Sequence, residues 1–238
     1  TSAGTEVAEG VAVALSGATP RYAVNAPFVA PEAWHVLQPY LGLARSMGAL
    51  IMQLIHEPVR GYELEFCGEL ASVDTQPVKL AVLQGLLSAS SAERVTPVNA
   101  PLIARDRGVR VSERTNLDAE NYSGLLVVRV QTADELRTFS GTVLRGEPHI
   151  VQADGYFVDF VPQGALLLTY HRDRPGMIGH VGTLLGADDV NISGMYVGRQ
   201  LPRQRAMMVL TLDEPASDDV MAHIRALEDI DQAYSVKL

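Results

Sequence analysis

The sequence predicts an α+β fold built from two successive units. Its 47% hydrophobic and 20% charged residues are ordinary for a globular chain. Between residues 124 and 162, short apolar runs are separated by the brief polar segments TADE, RGE and DG, a spacing that predicts β-hairpins. After residue 164 the pattern changes to strand, helix, strand, strand, helix, strand. Each element is justified below in chain order.

The N-terminal segment 1–19 predicts a helix that Thr5 caps and Gly17 ends. Its apolar residues recur at helical spacing: Val7, Val11, Ala14 and Leu15. Segment 20–31 contains three prolines and predicts extended chain. We therefore interpret residues 1–30 as the end of a preceding domain followed by a linker.

A long amphipathic helix, or a pair of helices, is predicted from Pro31 to His56. Trp34 is expected in the core. The apolar face is wide and comprises Trp34, Leu37, Leu41, Leu43, Ala44, Met47, Leu50, Ile51 and Leu54.

The sequence pattern of residues 60–162 predicts a mixture of helices and strands. Residues 60–72 read as a half-buried strand, since Tyr62, Leu64 and Phe66 alternate with glutamates. Residues 75–89 predict a helix, and 99–109 predict a shorter helix closed by Gly108. Four short β runs follow at 124–131, 137–144, 148–154 and 156–162. We therefore expect residues 31–163 to form an α+β domain with an antiparallel sheet at its C-terminal end.

The second unit, residues 164–238, predicts the ferredoxin-like order βαββαβ. Its expected elements are strand 165–171, helix 175–186, strand 190–198, strand 204–212, helix 217–227 and strand 230–237.

Composition excludes several classes of function. A formal net charge of −9 opposes binding to nucleic acid or anionic membranes, because both need a positive field. The single cysteine, Cys67, excludes an internal disulfide and a cysteine-rich metal site. No apolar run is long enough to span a membrane and no signal pattern begins the chain, so we expect a cytoplasmic protein.

Sequence motifs for catalysis and cofactor binding are also absent. There is no GxGxxG, P-loop, HExxH or GxSxG motif, and the six histidines are not spaced as metal ligands. Glycines recur in GMIGHVG (176–182), but they fall within a predicted helix and we interpret them as packing that helix on a sheet. We therefore expect no catalytic residue, no cofactor and no metal in this chain.

Three motifs that follow one another along the chain make the second unit resemble a known domain family. His171–Gly176 reads HRDRPG, Gly179–Gly186 reads GHVGTLLG, and Val190–Ile192 reads VNI. This set resembles the ACT domain, a small amino-acid-sensing module, and specifically the ACT domain at the C-terminus of D-3-phosphoglycerate dehydrogenase family members. Residues 31–163, with CGELA, VNAP and VDFVPQG, are similar to the intervening domain of the longer bacterial members. Residues 1–30 resemble the last helix of the catalytic core and its connector.

The resemblance implies a regulatory and assembly role. The family oxidises 3-phosphoglycerate with NAD, and the residues for that chemistry lie in domains that this chain lacks, so the chain alone is expected to be inactive. The implied effector is L-serine, held where the edge strands 191–199 of two ACT domains meet side by side. The implied site residues are His171, Asp173, Pro175, Gly176, Met177, Asn191 and Ile192.

The chemistry of these residues suits a zwitterion. Pro175 is expected at the first helical position, and Gly176 lets a ligand carboxylate approach the N–H groups of the helix N-terminus. Asp173 offers a carboxylate to the ammonium, Asn191 a side-chain amide, and His171 a contact to the ligand's carboxylate or hydroxyl. Simpler roles stay open at this point, namely a helix N-cap for Asp173, a turn residue for Asn191 and a solvated strand end for His171.

Two other functions also stay open. The chain could be the regulatory part of an iron–sulfur L-serine dehydratase, which pairs the same two domain types, or an oligomerisation module without a ligand. Some family members hold an anion near the closing hairpins of the intervening domain. Here Arg145 and His149 are basic, but Tyr156 and Val161 stand where further bases are expected, so no anion site is predicted there.

Overall fold

The structure, a computed structural model, describes residues 2–15 and 31–238. The first unit contains helices α1 (Ser2–Leu15), α2 (Pro31–Gln53), α3 (Gln76–Ser88) and α4 (Ala100–Asp106), and strands β1 (Gly61–Gly68), β2 (Arg110–Asn116), β3 (Gly124–Gln131), β4 (Leu136–Leu144), β5 (Glu147–Ala153) and β6 (Tyr156–Phe160). The second contains β7 (Ala165–Arg172), α5 (Met177–Ala187), β8 (Ile192–Arg199), β9 (Arg205–Leu212), α6 (Asp218–Arg225) and β10 (Ile230–Lys237). The predicted α+β class is confirmed.

The N-terminal helix α1 differs from the prediction at its start. It begins at Ser2, so Thr5 lies inside the helix and is not its cap. Gly17 and residues 20–30 of the predicted extended segment lie outside the described residues, and Pro31 begins α2. Val7 and Val11, which share the apolar stripe of α1, are exposed.

The long helix α2 is a single helix, and it buries the predicted apolar face against the sheet and α3. The prediction for Trp34 was wrong, because its side chain is 42% exposed. Complete burial along α2 begins one turn later, at Leu37.

Two glycines let α2 and α3 pack closely. A methyl group on Gly48 would lie 2.6 Å from the carbonyl oxygen of Val82. A methyl group on Gly85 of α3 would collide with the carbonyl of Arg45. The two helix backbones therefore touch where side chains would otherwise separate them.

The first sheet has the strand order β2-β1-β3-β4-β5-β6. The four predicted hairpin strands pair antiparallel as expected. The edge strand β2 was not predicted, and it pairs parallel to β1, so the sheet is mixed. The sequence of β2 has no apolar alternation because the strand is almost wholly exposed. Its parallel pairing with β1 requires a long crossover connection, which is residues 69–109 and contains α3 and α4.

The second sheet has the antiparallel order β10-β7-β9-β8, which confirms the predicted βαββαβ unit. Strand β7 is buried on both faces. Leu166 and Leu168 join the core of the first unit, whereas Leu167 packs under α5 and α6. Strand β8 lies at an edge of this sheet, and β6 packs against its face so closely that a methyl group at Gly198 would collide with the carbonyl of Phe157.

The glycines of α5 do not have the predicted packing role. Open space lies beside Gly179, Gly182 and Gly186, so these positions do not press α5 onto the sheet. The contact with the core is made instead by Met177, Val181 and Leu185.

Within residues 2–15 and 31–238, no helix combines the length and the apolar character needed to cross a membrane.

Candidate functional site

The loop between β7 and α5 is organised by Asp173. Its Oδ2 accepts hydrogen bonds from the backbone N–H of Arg203 at 3.0 Å and from Nη1 of Arg199 at 3.1 Å. These two donors hold the pKa of Asp173 below its ordinary value. The carboxylate therefore ties the loop to the β8–β9 hairpin, and it is not the N-cap of α5.

Helix α5 begins later than predicted. Its first residue is Met177, so Pro175 precedes the helix and does not occupy its first position. Gly176 is the N-cap residue with a φ of 95°, a left-handed conformation that favours glycine. Among the described residues no side chain caps this end. The N–H groups of Ile178 and Gly179, at the second and third helical positions, have no acceptor within the helix and suit an anion.

The side chains of two other predicted residues, Met177 and Ile192, both pack in the core of the second unit. Met177 is buried among the apolar residues under α5, and its N–H donates to the Arg174 carbonyl at 3.3 Å. Ile192, at the other predicted position, is half-buried at the edge of the same core. Their side chains thus support the fold near the loop.

His171 is buried on β7, with only 2% of its surface exposed, so it is not a solvated strand end. Its Nδ1 lies 3.1 Å from Oγ1 of Thr169. Burial lowers its pKa, although a hydrogen bond with the Thr169 backbone and the nearby Asp173 and Asp231 carboxylates oppose that shift. The imidazole is therefore neutral near pH 7 and contributes no positive charge to the loop.

Asn191 lies at the start of β8, where its Nδ2 donates to Oδ2 of Asp213 at 2.7 Å. The backbone N–H of Asp213 donates in turn to the Asn191 carbonyl at 3.1 Å. Asp213 thus orients the amide and leaves Asn191 Oδ1 and one N–H for a ligand.

Within one chain the predicted site residues do not all meet. Asp173 contacts Arg199 at one end of β8, and Asn191 precedes the other end. At a rise of about 3.3 Å per residue, the length of β8 separates the two groups by roughly 25 Å. One copy therefore brings together His171, Asp173 and Gly176, and leaves Asn191 and Ile192 apart from them.

Sequence reasoning missed three partners in these clusters: Arg199, Arg203 and Asp213. Each lies far along the chain from the residue it contacts. They come close because β9 pairs with both β7 and β8, and the chemistry of single residues does not predict these pairings.

No group of three or more His, Cys, Asp or Glu side chains among the described residues is arranged to hold a metal ion.

Comparison with known proteins assigns both units. A model described as the D-3-phosphoglycerate dehydrogenase intervening domain matches residues 36–154, and an ACT domain model matches residues 165–229. The chain belongs to the D-3-phosphoglycerate dehydrogenase family. Its resemblance to the intervening and ACT domains of that family is thereby confirmed.

Similar family members are found in distant organisms. The chain is 38% identical over 235 residues to the D-3-phosphoglycerate dehydrogenase of Synechocystis sp., covering 98% of this chain and 42% of the relative. It is 35% identical over 237 residues to the enzyme of Methanocaldococcus jannaschii, covering 100% and 45%. For the Bacillus subtilis enzyme the identity is 31% over 237 residues, covering 98% and 44%. The chain thus spans less than half the length of these relatives and corresponds to their regulatory part.

Proposed function

We propose that this chain is the L-serine-sensing and oligomerisation part of an NAD-dependent D-3-phosphoglycerate dehydrogenase. In this proposal residues 31–163 are the intervening domain, 164–238 the ACT domain, and 1–30 the connection to a catalytic core. The parent protein is cytoplasmic and oxidises 3-phosphoglycerate, while this chain supplies regulation and no catalytic group. The dehydratase alternative receives no support from the matched intervening-domain model.

One observation carries the proposal. The two groups suited to an amino acid lie at opposite ends of β8, an edge strand. If two copies pair β8 against β8 in antiparallel register, Asn191 of the second copy arrives beside Arg199, and hence beside Asp173, of the first. Each pairing creates two identical sites, each enclosed by both copies.

The roles within such a site follow from the contacts on each side. The free N–H groups at the start of α5 receive the serine carboxylate, and Gly176 keeps that approach open. Asn191 Oδ1 accepts from the ammonium, because its own Nδ2 is already held by Asp213. Asp173 supplies the counter-charge to the ammonium, with Arg199 and Arg203 fixing its position.

Calorimetric titration with L-serine tests the proposal. We expect saturable binding by the unaltered chain and weaker binding of D-serine. Asn191→Ala should weaken L-serine binding about tenfold to a hundredfold, because a hydrogen bond to a charged group is lost. Asp173→Ala should weaken it at least as much, since the ammonium loses its counter-charge. Asn121→Ala, an exposed asparagine in the first unit, is the matched control.

The absence of any heat up to millimolar L-serine would refute serine sensing and favour an assembly module without a ligand. Equal affinities for Asn191→Ala and the control would refute the site. Circular dichroism of each variant separates a lost contact from a lost fold.

A further inference from the structure

The side chain of Phe157 is exposed at the border between the two units. It belongs to β6, an edge strand of the first sheet, and 72% of its surface is exposed. The alternate residues Tyr156, Val158 and Phe160 face inward and join the core. The backbone of Phe157 touches β8, because a methyl group on Gly198 would collide with the Phe157 carbonyl. An exposed aromatic ring therefore lies beside the free edge of the second sheet.

An uncharged pocket lies nearer the start of β8, on the face of the second sheet that β6 covers. It encloses about 440 Å³, which is enough for a phenyl ring. Tyr196 contributes an aromatic ring to its wall, and this ring lies 6.5 Å from that of Phe160 on β6. The rest of the wall combines apolar and neutral polar side chains, namely Val161, Gln163, Ser193, Thr211 and Leu212. Among the described residues no charged side chain lines this pocket, so it suits an apolar aromatic group and not an ion.

Within one chain Phe157 does not occupy this pocket. Phe157 contacts β8 at Gly198, whereas Ser193 in the pocket wall comes five residues earlier, about 16 Å along the strand. The exposure of the ring confirms that it is not inserted. Another molecule is needed to bring such a ring into the pocket.

A second copy of the chain would bring the two features together. This step rests on the proposed antiparallel pairing of β8 with β8, in which Asn191 of one copy lies beside Arg199 of the other. The same register sets Gly198 of one copy next to Ile192 and Ser193 of the other. The two-fold axis of such a pair is perpendicular to the sheet, so the face that β6 covers is the same face in both copies. The ring of each copy then lies beside the pocket of the other.

We propose that Phe157 of each copy enters the pocket beside Ser193 and Tyr196 of the other, so that the first unit takes part in the dimer. Insertion removes an exposed ring from water and packs it against the ring of Tyr196. Pairing one strand of eight residues covers a narrow strip, whereas stable interfaces bury at least about 1,000 Å². Two insertions related by the two-fold axis extend the interface on both sides of that strip.

Sedimentation equilibrium of the full chain measures the dissociation constant of the dimer. Phe157→Ala should raise this constant at least about tenfold, because buried aromatic anchors dominate interfaces and each dimer loses two of them. Leu117→Ala is the control, since Leu117 is an apolar residue of the first unit that is 82% exposed and does not line the pocket. It should change the constant less than about twofold. Circular dichroism checks that both variants keep the fold.

Cross-linking identifies the residues that meet. A chain with Phe157→Cys is mixed with a tagged chain with Ser193→Cys and treated with a short bismaleimide, and we expect a product that joins the two different chains. The native Cys67 is buried, with 3% of its surface exposed, and does not compete. Ser235→Cys replaces Ser193→Cys in the control, because Ser235 is an exposed serine on β10, three strands away at about 4.8 Å each.

The outcomes separate this contact from the pairing on which it rests. A dimer that Phe157→Ala weakens no more than Leu117→Ala would overturn the insertion and leave the pairing of β8 intact. Cross-linking no stronger than that of the Ser235→Cys control would overturn it in the same way. An unaltered chain that is monomeric at every concentration would refute the pairing of β8 itself, and the insertion with it.

Discussion

Arg137 joins the two sheets through one buried guanidinium. From β4 it donates to Asp154 at 3.0 Å and to the hydroxyl of Tyr234 on β10 at 3.1 Å. Its guanidinium carbon also lies 5.4 Å from the ring centre of Tyr170 on β7. Burial alone would lower the pKa of Arg137, but the surrounding Tyr170, Asp154 and Tyr234 raise it, so the charge is held permanently at the boundary between the units.

The Tyr170 hydroxyl completes this network by donating to Asp154 Oδ2 at 2.5 Å. Tyr170→Phe keeps the ring but removes a hydrogen bond to a charged acceptor, so we expect a loss of about 1.5–3 kcal/mol in the free energy of unfolding. Tyr196→Phe is the control, because Tyr196 is 36% exposed and no hydrogen bond of its hydroxyl is found among the described residues. Urea unfolding measures both variants, and equal midpoints would contradict the structural role of Tyr170.

For single residues, the sequence predicted which side chains have the chemistry for a role, but not which residues they contact. The motif HRDRPG predicted a ligand-binding role for the Asp173 carboxylate, but it could not predict the contacts with Arg199 and Arg203, which depend on the position of the β8–β9 hairpin.

Among the elements, α2 contains two glycines in opposite environments. Nothing lies within 4 Å of a methyl group placed on Gly42, whereas one on Gly48 meets the backbone of α3. Gly42→Ala should stabilise the protein by about 0.4–1 kcal/mol through the reduced freedom of the unfolded chain. Gly48→Ala should destabilise it by about 1–3 kcal/mol, because α2 and α3 must move apart.

Thermal unfolding of the two glycine variants provides the comparison. Each is the other's control, since both place the same residue in the same helix. A rise in melting temperature for Gly48→Ala would contradict the close backbone contact between α2 and α3.

Elements that bury one face were predictable because burial leaves a periodic apolar pattern. That pattern located β3 to β6, every element of the second unit and the long helix α2. It failed for β2, whose residues are exposed and polar, and it misplaced Trp34, which has the right residue type but lies before the buried part of α2. The start of α5 was displaced because Gly176, and not Pro175, provides the turn into the helix.

On the scale of the whole molecule, β8 leaves an edge of the second sheet unpaired in a single chain. Its helix-side residues Met195 and Val197 are 40% and 42% exposed, and an unprotected edge favours pairing with another copy. We expect sedimentation and light scattering to find a dimer or a larger assembly at about 100 μM chain, a concentration at which a modest interface is populated. Val197→Lys should shift the chain toward monomer, because a charge on the edge opposes pairing.

Val98→Lys, which changes another exposed valine in the first unit, is the control for this experiment. A monomeric unaltered chain, or equal assembly of both lysine variants, would contradict pairing through β8.

The roughly 25 Å that separates Asn191 from Asp173 along β8 has a thermodynamic consequence. If L-serine binds between two copies as proposed, a single chain holds only half of each site, so serine binding and association become one linked equilibrium. By reciprocity, L-serine would then tighten the dimer by the same factor by which pairing raises the affinity for L-serine. Dilution would then dissociate the dimer by mass action and abolish serine binding, even though every chain stays folded.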